Sequence, residues 1–140
     1  MYADYAYYTG TYYGTILTAS NYDGYASKAS DFIDYLTWNK AQDNSELDAV
    51  KKCCCALAEQ YYLIDNTKAA LAAVVTSNGE IQSETVGAHS RTFRSGADTA
   101  SLVASAEAEL ANIARRYLLP TGLLYRGGLS CVHSACCNSL

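Results

Sequence analysis

The sequence has few basic residues and no long apolar run. Its lysines and arginines number 10 against 14 aspartates and glutamates, a formal net charge of −4. This balance argues against a protein that holds nucleic acid through a neutralising basic surface. The longest apolar runs, such as residues 69–75, fall far short of the roughly 20 residues that cross a bilayer. No basic stretch followed by an apolar one opens the chain, so we expect no secretory signal, no membrane span and synthesis in the cytoplasm.

Sequence patterns of common catalytic sites are also missing. The chain has no Gly-x-Ser-x-Gly nucleophile elbow, and the glycine pair in residues 10–14 lacks the lysine of a phosphate-binding loop. His89 has Ser90 and two glutamates nearby, but all of them fall in one short loop, whereas a catalytic triad converges from a rigid scaffold. We therefore expect no enzymatic activity and no cofactor.

The six cysteines fall in two clusters, and most are expected to be thiols in a cytoplasmic chain. Residues 53–55 are adjacent, and because adjacent helical positions fan out by about 100°, three neighbouring thiols do not converge on one ion. Residues 129–140 form a separate Cys-rich tail, predicted to be flexible, whose spacing matches no standard zinc finger. We expect no bound metal, but the tail leaves open a second interpretation, a small cytoplasmic zinc-binding regulatory protein. Its ligands would be drawn from Cys131, His133, Cys136 and Cys137.

Apolar residues at steps of three and four predict three main helices. The first is expected over residues 26–38, the second over residues 45–65 with Ser45 as its N-cap, and the third over residues 98–119, stopped by Pro120. The second and third should be the longest and should pack together. Their apolar seams are Leu47, Val50, Cys54, Leu57, Tyr61 and Ile64 on one, and Leu102, Ala106, Leu110, Ile113 and Tyr117 on the other.

Other segments are less periodic. The first 25 residues hold eight of the 13 tyrosines and predict an irregular segment with a short helical turn, suited to packing over the core or to docking on another chain. Residues 41–44 are turn-like, and residues 67–75 are compatible with a helix. Residues 85–93 suggest a short exposed β-hairpin. The predicted fold class is mainly α, a small helical bundle with a projecting β-hairpin-like loop and extended N- and C-terminal segments.

Four phrases occur in an order that resembles a known family. They are YAYYTGTYYG at residues 5–14, LDAVKKCCCALAEQYYLID at 47–65, SETVGAHSRTFRSG at 83–96 and RRYLLPTGLLYRGG at 115–128. Together they resemble the head-tail connector proteins, also called adaptor or head-completion proteins, of long-tailed bacteriophages and prophages. The resemblance covers nearly all of a single connector domain at residues 1–128.

The resemblance implies a function in virion assembly. Members of the family form a ring, typically twelvefold, under the portal vertex, and the ring extends the DNA channel and docks the stopper or tail-completion protein. The expected partners are further copies of the chain, the portal and the stopper, with DNA passing without specific binding. The expected location is the neck of the virion. Two features depart from the family: His89, where an aromatic residue is common, and the Cys-rich end.

Candidate contact residues lie in the glycine-bounded segments and in the tyrosine-rich N-terminus. Arginine pairs bidentately and stacks on aromatic rings, which favours it at interfaces. Arg115 and Arg116 have a simpler explanation, because positive charge is stabilising near the C-terminus of a helix. The predicted contact residues are Tyr8, Tyr12, Tyr13, Val86, His89, Arg91, Phe93, Arg94, Leu124, Tyr125 and Arg126.

Overall fold

The computed structural model describes residues 1–78 and 96–126, and for residues 74–78 and 96–99 it describes the backbone only. This part of the chain is a small bundle of α-helices without a strand, which confirms the predicted mainly α class. No helix in it is long and apolar enough to cross a membrane. The helices are α1 (Tyr5–Gly10), α2 (Ala19–Thr37), α3 (Asp48–Asn78) and α4 (Gly96–Leu118), with short 3-10 turns at Gln42–Asn44 and Leu119–Thr121.

Helix α3 is the central element, because it packs against both α2 and α4. Cys53, Cys54 and Cys55 are all fully buried in it. Since adjacent helical side chains fan out, three consecutive buried residues require cover on more than one side of the helix. The buried residues of α3 are Val50, Cys53, Cys54, Cys55, Leu57, Ala58 and Ile64, and those of α4 are Leu110, Ala114 and Leu118.

The two longest described helices are α3, with 31 residues, and α4, with 23, as predicted. Helix α4 lies close to its predicted bounds. Helix α3 is much longer than predicted and includes the helix-compatible residues 67–75. Alanine, the best helix former, is frequent there, and no glycine or proline interrupts the run before Gly79.

Two predicted helix starts are wrong. Ser45 is not an N-cap: it lies in a turn after the 3-10 segment, and α3 begins at Asp48, with Lys52 pairing to Asp48 across the first turn. Helix α2 begins at Ala19 rather than at residue 26, because the Asn21 side chain accepts the backbone N–H of Thr18 at 2.8 Å and caps the end. The spacing of apolar residues does not reveal this first turn, because the turn is polar.

The N-terminus packs over the core, one of the two alternatives expected for it, and is not the extended segment of the predicted fold class. Ala3, Tyr8 and Leu17 are buried, so the segment that contains α1 contributes to the core before α2 begins. The backbone N–H of Tyr2 donates to Ser30 Oγ at 3.2 Å, so the first residues are tied to α2. At the other end the described chain stops at Arg126. The predicted hairpin at residues 85–93 and the Cys-rich tail lie outside the described residues.

Candidate functional site

The tyrosine-rich N-terminus builds the core around Tyr8. This side chain is fully buried, and its hydroxyl donates to Glu59 at 2.7 Å while it accepts the backbone N–H groups of Ile16 and Leu17, each at 3.0 Å. A buried hydroxyl with three partners is a satisfied structural group. Tyr8 therefore offers no surface to another chain, which corrects its assignment as a contact residue.

Other tyrosine rings pack against Tyr8. Its ring centroid lies 4.9 Å from that of Tyr22 and 5.9 Å from that of Tyr12. Tyr12 is half-buried by this contact, whereas the neighbouring Tyr13 is exposed and has a positive φ of 61°. Of the three N-terminal tyrosines predicted as contacts, Tyr13 alone has a largely exposed side chain.

Burial sets the protonation of the core groups. Desolvation raises the pKa of Tyr8 to about 12; the hydrogen bond from the Leu17 N–H opposes this rise and the hydrogen bond to Glu59 adds to it. Desolvation also raises the pKa of the Cys53 and Cys55 thiols to about 12. At neutral pH these groups are protonated, and the thiols lack the thiolate character that makes a cysteine reactive. Among the described residues, no three His, Cys, Asp or Glu side chains converge as a metal site.

At the C-terminal end of α2, the backbone carries an unusual tryptophan. Trp38 caps the helix in the left-handed conformation, with φ 54° and ψ 45°, and Asn39 follows with φ 62°. Glycine is the usual residue at such a cap, and a bulky side chain there is an outlier. The turn is held by the Asn39 N–H donating to Asp34 O at 3.0 Å. The indole is nevertheless 69% exposed.

The chain after α4 returns to this tryptophan. The Arg126 guanidinium carbon lies 5.7 Å from the centre of the Trp38 ring, and Lys40 Nζ donates to the Tyr125 carbonyl at 2.8 Å. Tyr125 is 64% exposed. We call Trp38, Lys40, Tyr125 and Arg126 the Trp38 end, together with the exposed Tyr35, which lies three residues before Trp38 on α2.

The segment that carries Tyr125 and Arg126 is anchored in the core. Leu118, at the end of α4, is fully buried, and Leu123 is nearly so. Between them Gly122 takes a positive φ of 75°, which turns the chain back toward α2. The predicted contact residue Leu124 is half-buried beside this turn. The exposed Tyr125 and Arg126 therefore belong to a segment whose position is fixed by the buried Leu118 and Leu123.

The two cations of the Trp38 end have no ion-pair partner in the described part of the chain. Four other lysines form ion pairs with carboxylates. By contrast, neither Lys40 nor Arg126 lies within ion-pair distance of a described carboxylate. The Trp38 end therefore combines three exposed aromatic side chains with two cations that lack an ion-pair partner among the described residues.

The structure joins two predicted contact residues, Tyr125 and Arg126, to two that sequence reasoning missed, Trp38 and Lys40. A signal for Trp38 did exist, since the single tryptophan of the sequence is the last residue of the helix predicted over residues 26–38. The other predicted contacts lie outside the described residues, as do the candidate zinc ligands of the tail. Those contacts are Val86, His89, Arg91, Phe93 and Arg94.

Comparison with protein-family models, with curated proteins and with solved structures finds no match to this chain. The kinship suggested by the four sequence phrases therefore stays a prediction. By its fold, the described part of the chain belongs to the structural class of small helical bundles.

Proposed function

We propose that this chain is a structural subunit of a bacteriophage virion, a head-tail connector. Copies of it form a ring under the portal, extend the DNA channel and dock the stopper or tail-completion protein. The observation that carries the proposal is the Trp38 end, an exposed aromatic and basic surface held in place by the core of the bundle. The sequence resemblance supplies the particular kind of assembly.

The composition of the Trp38 end is typical of protein contact sites. Tryptophan, tyrosine and arginine are the residues most enriched among those that dominate binding energy. Here an arginine lies over the tryptophan ring, and Tyr35 and Tyr125, which belong to the same two chain segments, have most of their surface exposed. Because both chain segments are fixed by buried neighbours, little conformational entropy is lost when the surface is covered.

The phrase at residues 115–128 links this surface to the resemblance. It contains the last turn of α4, the buried Leu118 and Leu123, and the exposed Tyr125 and Arg126. In the resembling family the corresponding segment reaches toward the portal or a neighbouring subunit. The proposed role of the Trp38 end is the same: it contacts a neighbouring copy of the chain in the ring, and DNA passes through the ring without specific binding.

A pair of matched double variants tests this proposal in the phage or prophage that encodes the chain. Tyr125→Ala with Arg126→Ala removes two exposed side chains of the Trp38 end. Heads should then package DNA but fail to acquire or retain tails, while the purified variant keeps its helical circular dichroism. The control, Arg115→Ala with Arg116→Ala, removes two exposed charges from α4 outside this surface and should give normal tailed particles.

Deletion of the gene is the complementary experiment. Without the gene product, heads should fill with DNA but should fail to join tails, because the neck is incomplete. Normal numbers of tailed, infectious particles from the deletion strain would overturn the connector function. Normal numbers of tailed particles from the Tyr125 and Arg126 double variant alone would show that the Trp38 end is not an assembly contact. The connector function would still stand.

A further inference from the structure

We infer that residues 1–3 form a lid over Cys54. The lid opens while the helices stay folded, and a group that a thiol-reactive electrophile then adds to the Cys54 sulfur prevents the lid from closing. This inference does not depend on the connector function. It follows from the few contacts that hold residues 1–3 and from the position of one core thiol beneath them.

The lid is attached to the bundle through side chains. It precedes α1 and belongs to no helix. The Tyr2 N–H donates to Ser30 Oγ at 3.2 Å, and the Tyr2 hydroxyl donates to Asp34. Within the described part of the chain, no backbone-to-backbone hydrogen bond holds residues 1–3 in place. The lid therefore lacks the regular hydrogen bonding that makes a helix open as a unit.

Opening of the lid exposes little apolar surface. Ala3 is its one buried side chain, and Met1 is already 64% exposed. The chain is fixed from the next residue onward, because the Asp4 side chain caps α1 and Tyr8 is fully buried. Segments with few buried apolar contacts open at a lower free energy than the whole protein. Opening is therefore confined to the residues before α1.

Cys54 lies directly beneath the lid. The backbone N–H groups of Tyr2 and Ala3 lie beside its sulfur, and Ser30 Oγ, which accepts from the lid, is 3.5 Å from that sulfur. The thiol also donates to the Ala26 carbonyl at 3.5 Å. Since its other hydrogen-bond partners belong to α2, displacement of residues 1–3 uncovers the sulfur without movement of a helix.

The two neighbouring thiols are covered by other groups. Cys55 Sγ lies 3.6 Å from the hydroxyl of Tyr22, a fully buried residue of α2. That hydroxyl also donates to the Ala3 carbonyl at 3.1 Å, so opening breaks this hydrogen bond but leaves the Tyr22 ring in place. Cys53 is fully buried and forms no described hydrogen bond with the lid. Opening therefore distinguishes Cys54 from Cys53.

The closed lid protects the thiol, and the open lid exposes it. Burial raises the pKa of Cys54, so the closed form contains a protonated thiol at neutral pH. An exposed cysteine has a pKa of about 8.5 and ionises in part at mildly alkaline pH. The thiol proton then goes to solvent, and the thiolate attacks the iodine-bearing carbon of iodoacetamide. A carbon–sulfur bond forms, and iodide leaves with the bonding electrons of the carbon–iodine bond.

Alkylation of the full chain by iodoacetamide tests the lid, with each modified position read by fragmentation mass spectrometry. At about pH 8, Cys54 should react at least about tenfold faster than Cys53, because lid opening is more frequent than global unfolding. Urea below the unfolding transition should change the rate at Cys54 little and should raise the rate at Cys53 steeply. The reason is that urea acts in proportion to the surface that opening exposes.

Two lysine substitutions form a matched pair. Ala3 is buried in the lid, whereas Ala6 is exposed on α1. Because a buried unpaired charge is unfavourable, Ala3→Lys should open the lid and speed alkylation of Cys54 at least about tenfold, with Cys53 still slow. Ala6→Lys should react as the wild type does. Tyr2→Phe removes one hydrogen bond of the lid and should give a smaller increase.

Alkylation should in turn keep the lid open. The added acetamide group needs the space beside the sulfur that Ala3 occupies at 4% exposure. In chains alkylated at Cys54, the nuclear magnetic resonance signals of residues 1–3 should move to unfolded-chain positions, and those of α4 should not. Unmoved signals of residues 1–3 would show that modification does not hold the lid open.

Two results would overturn the lid itself. One is alkylation of Cys54 and Cys53 at equal rates with the same steep dependence on urea, because global unfolding alone would then expose both thiols. The other is an Ala3→Lys chain whose Cys54 reacts no faster than that of the Ala6→Lys chain. Neither result bears on the connector function, which the gene deletion tests separately.

Discussion

At the residue scale, Tyr8 and Gly14 fit against each other so closely that no side chain has room at position 14. A Cβ built on Gly14 would stand 2.0 Å from the Tyr8 ring, which is itself fully buried. The ring has no room to withdraw, because its hydroxyl is fixed by Glu59 and two backbone amides. The N-terminal segment is thus locked to the bundle through one aromatic side chain.

We expect Gly14→Ala to lower the free energy of unfolding by at least about 1–3 kcal/mol, since overpacking a core forces side chains and backbone to shift. Gly10→Ala is the matched control, because its Cβ would meet nothing within 4 Å. Its effect should stay within about 0.5 kcal/mol. Urea unfolding at neutral pH measures both. Equal stability of the two variants would contradict the packing described for Tyr8.

At the element scale, the bounds of the helices show what a single sequence reveals. Helix α4 was predicted well because its seam is regular and Pro120 ends the pattern. The pattern does not predict the start of α2, because the first turn of that helix is polar. The capping pattern at Ser45 is misleading, because such a pattern does not show whether the turn before the helix is itself helical. The Trp38 end depends on tertiary contacts between distant segments, and no local pattern contains that information.

The end of α4 provides an adjacent pair of leucines with opposite surroundings. Leu118 is fully buried, whereas Leu119 is 68% exposed. Leu118→Ala should cost about 2–5 kcal/mol because it removes buried methyl groups and leaves a cavity. Leu119→Ala should change stability by no more than about 0.5 kcal/mol. Thermal and urea unfolding compare them directly, and a reversed order would show that the last turn of α4 is rotated from its described position.

At the scale of the whole molecule, the core contains protonated groups that titrate in alkali. The pKa values of Tyr8, Cys53 and Cys55 are raised to about 12 in the folded chain, above ordinary values of 10.0 and 9.0. Unfolding therefore releases protons once the pH exceeds the ordinary values. Stability contributed by these groups is complete below about pH 9 and is lost as the pH rises toward 12.

We expect the free energy of unfolding to be insensitive to these groups between pH 7 and about 9 and to fall steadily above that range. Tyr8→Phe removes one of the titrating groups, so its stability should fall less steeply with pH than that of the wild type, although it starts lower. Urea unfolding at a series of pH values gives both slopes. Wild-type stability that stays constant to about pH 11 would contradict the burial of these groups.

The central claim is that the Trp38 end is an assembly contact, and the mass of the assembled species tests it most directly. Native mass spectrometry of the wild type and of Trp38→Ala should be recorded side by side at the same concentrations. We expect a closed ring of copies for the wild type and monomers for Trp38→Ala. The helical circular dichroism should be unchanged, because the indole is mostly exposed. A wild-type chain that stays monomeric at every concentration, or a Trp38→Ala chain that assembles as fully as the wild type, would contradict it.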